Sequence, residues 1–195
     1  HAHIGHYLGL AQLGREVMGT HELKVYAMPR MRAFLEHNGP WDQLVRLQNI
    51  AIQPLEDGRE IKLNERITIT PMIVPHRDEY SETVGFIVRG PSSSILWLPD
   101  IDKWEKWTTP IESVVARVDI AFVDGTFHDA GELPGRDLSE IPHPLMIETM
   151  KRLAAHPANV RFIHLNQSNP APRTPSSLQP SPAPTDAARR LPRAL

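Results

Sequence analysis

The chain has no cysteine at all. That excludes a disulfide framework and a cysteine-based zinc finger, and it makes a reducing, cytoplasmic setting the natural expectation. No uninterrupted apolar run approaches the roughly eighteen residues that a membrane-spanning helix needs, and no basic-then-apolar signal segment opens the chain. An excess of one charge is missing too. The chain carries 21 Lys and Arg against 23 Asp and Glu, a formal net charge of −2, with no basic stripe of the kind that neutralises phosphates. Membrane insertion and nonspecific nucleic-acid binding are therefore not expected. The expected partner is a small-molecule substrate, with a homodimer left open. At 195 residues, 41% of them hydrophobic and 23% charged, the composition is that of one globular domain with a sizeable core.

Apolar patterning gives a mixed α/β outline. Leu10 and Leu13 stand at helical spacing after a histidine-rich loop, and Lys24–Ala27 is a short strand candidate. The stretch from Pro29 to Asn38 reads as a helix, with proline in its first turn and Gly39-Pro40 stopping it. Runs over 50–53, 61–63, 67–74, 84–89 and 95–98 are rich in β-branched residues and separated by turn signals such as Asp57-Gly58 and Gly90-Pro91. They predict a β-meander. Beyond it, helical periodicity over Trp104 to Ala116 and Pro144 to Ala155 alternates with strands over 120–123 and 160–165. From Pro170 to Leu195 the chain is rich in Pro, Ser, Thr and Ala and aperiodic, which predicts a disordered tail after a domain of residues 1–169.

The opening His1-Ala2-His3-Ile4-Gly5-His6 puts three imidazoles within six residues. Imidazole is the commonest metal ligand, and a structural role rarely calls for such density; the competing reading is an incidental or surface histidine-rich start. Further donors stand where α/β proteins gather functional groups, because His76, Asp100 and His164 each sit at the C-terminal end of a strand candidate. Taken singly, His76 beside Pro75 reads as a turn residue, Asp100 as a helix cap, and His164 as a satisfied strand histidine. Together they point to a metal site. Asp124 in Asp-Gly and His143 between Pro142 and Pro144 read, on their own, as a turn residue and a fixed loop residue. His21, His37, His128 and His156 match no ligand position, and Trp97, Trp104 and Trp107 read as packing.

A His-x-His-x-Asp-His loop leading into a helix, followed by His, Asp and His at strand ends, is the pattern of the metallo-β-lactamase superfamily. The chain resembles that superfamily from His1 to about Asn169. The segment from His76 to Phe86 is similar to the third-histidine region of the ribonuclease Z and phosphodiesterase branch. Asp124-Gly125-Thr126-Phe127 and the segment from His164 to Pro170 more closely resemble the pyrroloquinoline quinone biosynthesis protein B group. The resemblance implies an α/β fold, the αβ/βα four-layer sandwich, in which two mixed sheets pack face to face with helices outside and metals at one edge.

It also implies that His1, His3 and His76 hold a first metal, that Asp100 bridges, and that His6 and His164 hold a second, as zinc or iron. Gly5 stands where the pattern has Asp, so a carboxylate ligand is missing. Either the second site is filled weakly through His6, Asp100 and His164, or one metal suffices. Asp124 and His143 are implied to donate a proton to the leaving group, with the carboxylate orienting the imidazole. The activity implied is hydrolysis of an ester, phosphodiester or lactone-like bond by a metal-bound hydroxide. The alternatives are an iron-dependent oxygenase like the quinone-cofactor biosynthesis group and a noncatalytic remnant. A start at His1 further leads us to expect a domain incomplete at its N-terminus, lacking the first strands of that sandwich, whose isolated product exposes sheet edges.

Overall fold

In a computed structural model, the residues described are 1–156 and 159–173. The chain forms two compact units, His1–Phe86 and Ile87–Leu195.

In the first unit, α1 (Ile4–Tyr7) runs into a 3-10 segment, Leu8–Leu13. After it come β1 (Leu23–Ala27), α2 (Pro29–His37), α3 (Trp41–Arg46), β2 (Ile50–Pro54), β3 (Ile61–Lys62) and β4 (Thr68–Ile73). The next strand, β5 (Val84–Arg89), contains the point of division. α2 forms where the sequence places it. Pro29 supplies a preset φ at the first turn, and Met31, Phe34 and Leu35 recur at i, i+3 and i+4 to face the core. The Glu82 carboxylate accepts from the N–H groups of Arg30 and Met31, satisfying donors that a helix start leaves over. α3 was not expected past Gly39-Pro40, yet Trp41, Leu44 and Val45 share the same spacing and are drawn to the same core. That core is Leu35, Trp41, Leu44 and Ile50, with Tyr7, Leu10, Val25 and Ile52 against it.

The predicted meander needs correction at its start. β2 pairs in parallel with β1, Leu23 opposite Ile50 and Ala27 opposite Pro54. A parallel pair requires a crossover, and α2 and α3 provide it by sharing the buried cluster with Ile50. β3 and β4 pair antiparallel, as a meander predicts.

The second unit is built on β6 (Ser94–Leu98), α4 (Ile111–Val115), β7 (Ile120–Asp124), α5 (Met146–Arg152) and β8 (Val160–Ile163). β6, β7 and β8 lie side by side and parallel, with Leu98 opposite Val123 and Asp124 opposite Ile163. Leu96, Leu98, Ala121 and Val123 are fully buried in it. The Asp119 carboxylate accepts from both the backbone N–H and the hydroxyl of Ser94, at 2.7 and 2.8 Å, fastening the start of β6 to the start of β7. The helix predicted over Trp104 to Ala116 is broken. A 3-10 turn at Trp104–Lys106 gives way to extended backbone at Trp107 before α4 begins. Pro110 has no N–H to donate and stands extended as the residue before α4, so one helix cannot run through it. The next helix begins at Met146, behind an extended Leu145, two residues after the predicted start at Pro144. Trp104 is a core residue, its indole N–H donating to Thr149 Oγ1 at 2.9 Å.

Of the tail expected from Pro170 to Leu195, the described part is a 3-10 turn at Ala171–Arg173 with Ala171 buried; the rest lies outside the described residues. Among the described residues, no helix is long and apolar enough to cross a membrane.

Candidate metal centre

In the first unit the N-terminal segment is held extended: the Ala2 N–H donates to Ser81 Oγ at 2.7 Å and Ala2 is buried. His3 keeps that extended backbone as the N-cap of α1, and the helical turn brings His6 back toward His1. His76 arrives three residues past the end of β4, on a loop closed by Val74 N–H to Thr83 O and by Thr83 Oγ1 to Asp78. The result is a cluster in which His1, His3 and His76 each offer a nitrogen within 4.8 Å of the others. Ring centroids are 4.4 Å apart for His1 and His3, 5.2 Å for His1 and His76, and 4.3 Å for His1 and His6. His3 Nδ1 lies 2.8 Å from His1 Nε2, while its other nitrogen, Nε2, lies 2.9 Å from Glu79 Oε2. That contact with His3 is the main reason the Glu79 carboxyl sits below the usual carboxylate range. Gly5, at the position where the superfamily pattern has Asp, is in α1, and a Cβ built on it meets nothing within 4 Å. A cavity of about 180 Å³ opens beside His1 and His6, lined by Tyr7, Met28, Met31 and Phe86.

In the second unit three parallel strands deliver their functional residues to one edge. Asp100 follows β6, Asp124 ends β7, and His164 follows β8. Asp100 and Asp124 are 3% and 0% exposed. Asp100, Asp124, His143 and His164 each offer a donor atom within 4.8 Å of the rest. Both oxygens of Asp124 are engaged. Oδ1 accepts from the Thr126 N–H at 2.8 Å and the Thr126 hydroxyl at 2.7 Å; Oδ2 accepts from His143 Nδ1 at 2.8 Å and the Ile101 N–H at 3.2 Å. His143 Nδ1 also lies 3.2 Å from Asp100 Oδ1. Thr126 Oγ1 is 2.9 Å from His164 Nδ1. His164 itself has a left-handed backbone, φ +59°, which costs a non-glycine residue about 1–2 kcal/mol. The surrounding turn holds it there: the Asn166 N–H donates to Thr126 O, and buried Asn169 donates to Gly125 O at 2.7 Å. Gly125 has to be glycine for this. A Cβ there would stand 2.8 Å from Phe162 Cβ and 3.1 Å from Ile163 O.

Of the residues expected to bind metal or move a proton, His1, His3 and His76 gather in the first unit and Asp100, Asp124, His143 and His164 in the second; His6 joins neither set of donor atoms, its ring lying beside that of His1. His37 instead bonds the Ala33 carbonyl at the end of α2, and His128 is buried with Nδ1 3.1 Å from Asp129. Glu79 and Thr126 were not singled out by the sequence. Thr126, two residues after Asp124, has the spacing of an Asx turn, which is a readable signal. The approach of Glu79 to His3, across 76 positions, leaves none.

The sequence matches the family described as "Beta-lactamase superfamily domain" over residues 1–165. The chain belongs to that family. Its fold, a mixed α/β arrangement of sheets and helices, is the metallo-β-lactamase fold, and solved structures share it. Zinc-bound PqqB from Methylobacterium extorquens is 18% identical with a TM-score of 0.68, covering 97% of this chain and 64% of that one. A diphosphatase of the PhnP family is 18% identical with a TM-score of 0.58, covering 99% and 63%. The short form of human tRNase Z is 14% identical with a TM-score of 0.60, covering 86% and 70%. This chain therefore spans less than two thirds of the length of PqqB and of the diphosphatase. No curated protein matches the sequence. The donor sets are of a kind that can hold a metal ion. Clustered imidazole nitrogens in one unit, and imidazoles with carboxylates in the other, are the ligand types that zinc and iron take.

Proposed function

We propose that the chain is the metal-binding part of a hydrolase that cleaves an ester, phosphodiester or lactone-like bond. The observation behind this is the convergence of the His1, His3 and His76 nitrogens within 4.8 Å. His1, His3 and His76 would hold one ion. Asp100, His6 and His164 are assigned to a bridge and a second ion on the resemblance. When bound, the metal supplies Lewis acidity and an activated water.

The remaining chemistry belongs to the chain's own residues. Asp124 fixes the imidazole of His143 by accepting from Nδ1, so in the doubly protonated imidazolium form Nε2 is the nitrogen that would hand its proton to a leaving oxygen, leaving the neutral Nδ1–H ring. The four donors on Asp124 keep it an acceptor, so its role is to orient His143. The cavity beside His1 and His6 offers apolar walls to whatever group the substrate carries there.

Elemental analysis of the purified chain, together with assay of a generic nitrophenyl phosphodiester and a nitrophenyl ester, tests the proposal. Stoichiometric zinc with hydrolysis is expected, and His3→Ala should lose both. Iron with oxygen uptake would overturn it in favour of an oxygenase, and absence of any stoichiometric metal would overturn both. A His3→Ala protein with undiminished metal would sink the ligand assignment.

A further inference from the structure

We infer that Thr126 is a positioning residue that holds His164 in its Nδ1–H form and thereby makes Nε2 the nitrogen whose lone pair serves a metal. The ligand half of this inference rests on the function proposed above; the tautomer half rests on hydrogen-bond counting alone.

Thr126 Oγ1 has one hydrogen and three neighbours: Asp124 Oδ1 at 2.7 Å, His164 Nδ1 at 2.9 Å and His143 Nδ1 at 3.2 Å. A carboxylate can only accept, and a hydrogen bond to a charged oxygen is the stronger one. The hydroxyl hydrogen therefore goes to Asp124. Thr126 Oγ1 is left as an acceptor, and His164 Nδ1 must donate to it. His143 gives its Nδ1 hydrogen to Asp124 Oδ2, at the shorter distance of 2.8 Å. With Nδ1 of His164 carrying the proton, the neutral ring has its lone pair on Nε2. Such a hydrogen bond on the far nitrogen of a ligating histidine fixes tautomer and ring orientation together.

The backbone is arranged to make this contact. The Gly125 N–H donates to Ile163 O at 2.9 Å, a closeness that glycine alone permits, and the Asn166 N–H donates to Thr126 O at 3.1 Å. The two loops are thus tied on both sides of the Thr126–His164 bond. His164 is held in a left-handed backbone at the same point, φ +59°. Strain of this kind persists where the surroundings over-determine a side chain's position.

The test compares Thr126→Val, which keeps the shape and removes the hydroxyl, with Thr126→Ser, which keeps the hydroxyl. Nitrogen-15 spectra of the His164 imidazole are recorded on metal-free protein above the imidazole titration range, and zinc affinity is measured by chelator competition. The wild-type ring should show Nδ1–H. Thr126→Val should lose that form and bind zinc roughly 10–100-fold more weakly, while Thr126→Ser stays near wild type in both. A role for the hydroxyl confined to its bond with Asp124 would leave the His164 spectrum of Thr126→Val like that of wild type. A wild-type His164 protonated on Nε2, or a Thr126→Val protein matching wild type in spectrum and affinity, would overturn the inference. A wild-type protein with Nδ1–H that binds no zinc would instead overturn the proposed function, and with it only the ligand half of the inference.

Discussion

Asp124→Asn is the change whose consequence can be worked out most fully. Four hydrogens converge on the Asp124 carboxylate, two on each oxygen, in a fully buried position. Asparagine keeps one oxygen and replaces the other with an NH₂ group. If the NH₂ takes the place of Oδ1, it faces the Thr126 N–H, which cannot reverse; the Thr126 hydroxyl can only rotate to accept. If it takes the place of Oδ2, it faces the Ile101 N–H, and His143 must move its proton to Nε2 so that Nδ1 can accept. Either way one buried backbone N–H is orphaned, at about 1–3 kcal/mol, and the charge-assisted bond to His143 is lost, for a total of about 2–4 kcal/mol. The second arrangement also puts the wrong tautomer on His143, so activity should fall at least about a hundredfold even where the protein is folded. Urea unfolding of the metal-free protein reads the first effect, and nitrophenyl phosphodiester hydrolysis below the unfolding midpoint reads the second. An Asp124→Asn protein within about 0.5 kcal/mol of wild type, the range of an ordinary surface change, would refute the reading of Asp124 as a saturated acceptor.

Glu79→Ala should weaken zinc binding by about 10–100-fold through loss of the carboxylate on His3. Because the pair is exposed, the urea midpoint should stay unchanged; equal zinc affinity would show the contact to be idle. Gly5→Asp should raise bound metal toward two per chain, since a side chain at Gly5 enters open space; an unchanged stoichiometry would mean that His6 or His164 is misassigned. The Asp119 carboxyl is held below its usual range first by the Ser94 hydroxyl and then by the Ser94 N–H. Its stabilisation is therefore complete above the unfolded aspartate value of about 3.9 and is lost as pH falls through the lower folded value. Ser94→Ala should move the Asp119 titration, followed by NMR, upward toward that unfolded value, and an unmoved titration would refute the assignment.

The strand ends of the site were legible because each is a change of chemistry. An apolar run stops and Asp100, Asp124 or His164 follows, and the parallel order of β6, β7 and β8 then sets all three on one edge. The histidine motif at the N-terminus carried the fold family for the same reason. Pairing was less legible. Nothing in the pattern of residues 50–54 distinguishes a meander strand from one that pairs in parallel with residues 23–27, because the choice is made by the burial of Leu35, Trp41 and Leu44. Pro110 stands in the sequence, but the apolar spacing of Trp104 and Ile111 runs across it as in one helix, whereas the chain breaks there. The Glu79–His3 contact depends on a loop closure that no local rule encodes.

Four donors in the second unit form a metal-sized group, and the hydrogen bonds divide them. A carboxylate has roughly four lone-pair directions, and those of Asp124 meet Thr126 N–H, Thr126 O–H, Ile101 N–H and His143 N–H. An ion bound by Asp124 would displace at least one of these donors in a position with no solvent to replace it. His143, in turn, commits its Nδ1 hydrogen to Asp124 at 2.8 Å, closer than its 3.2 Å approach to Asp100. Asp124 and His143 therefore belong to each other, as a carboxylate and the imidazole it orients. The members whose chemistry suits an ion are Asp100, a buried carboxylate, and His164, whose proton Thr126 draws to Nδ1. The hydrogen-bond count therefore supports a proposed division of this group into an orienting pair, Asp124 with His143, and two ligand candidates, Asp100 and His164.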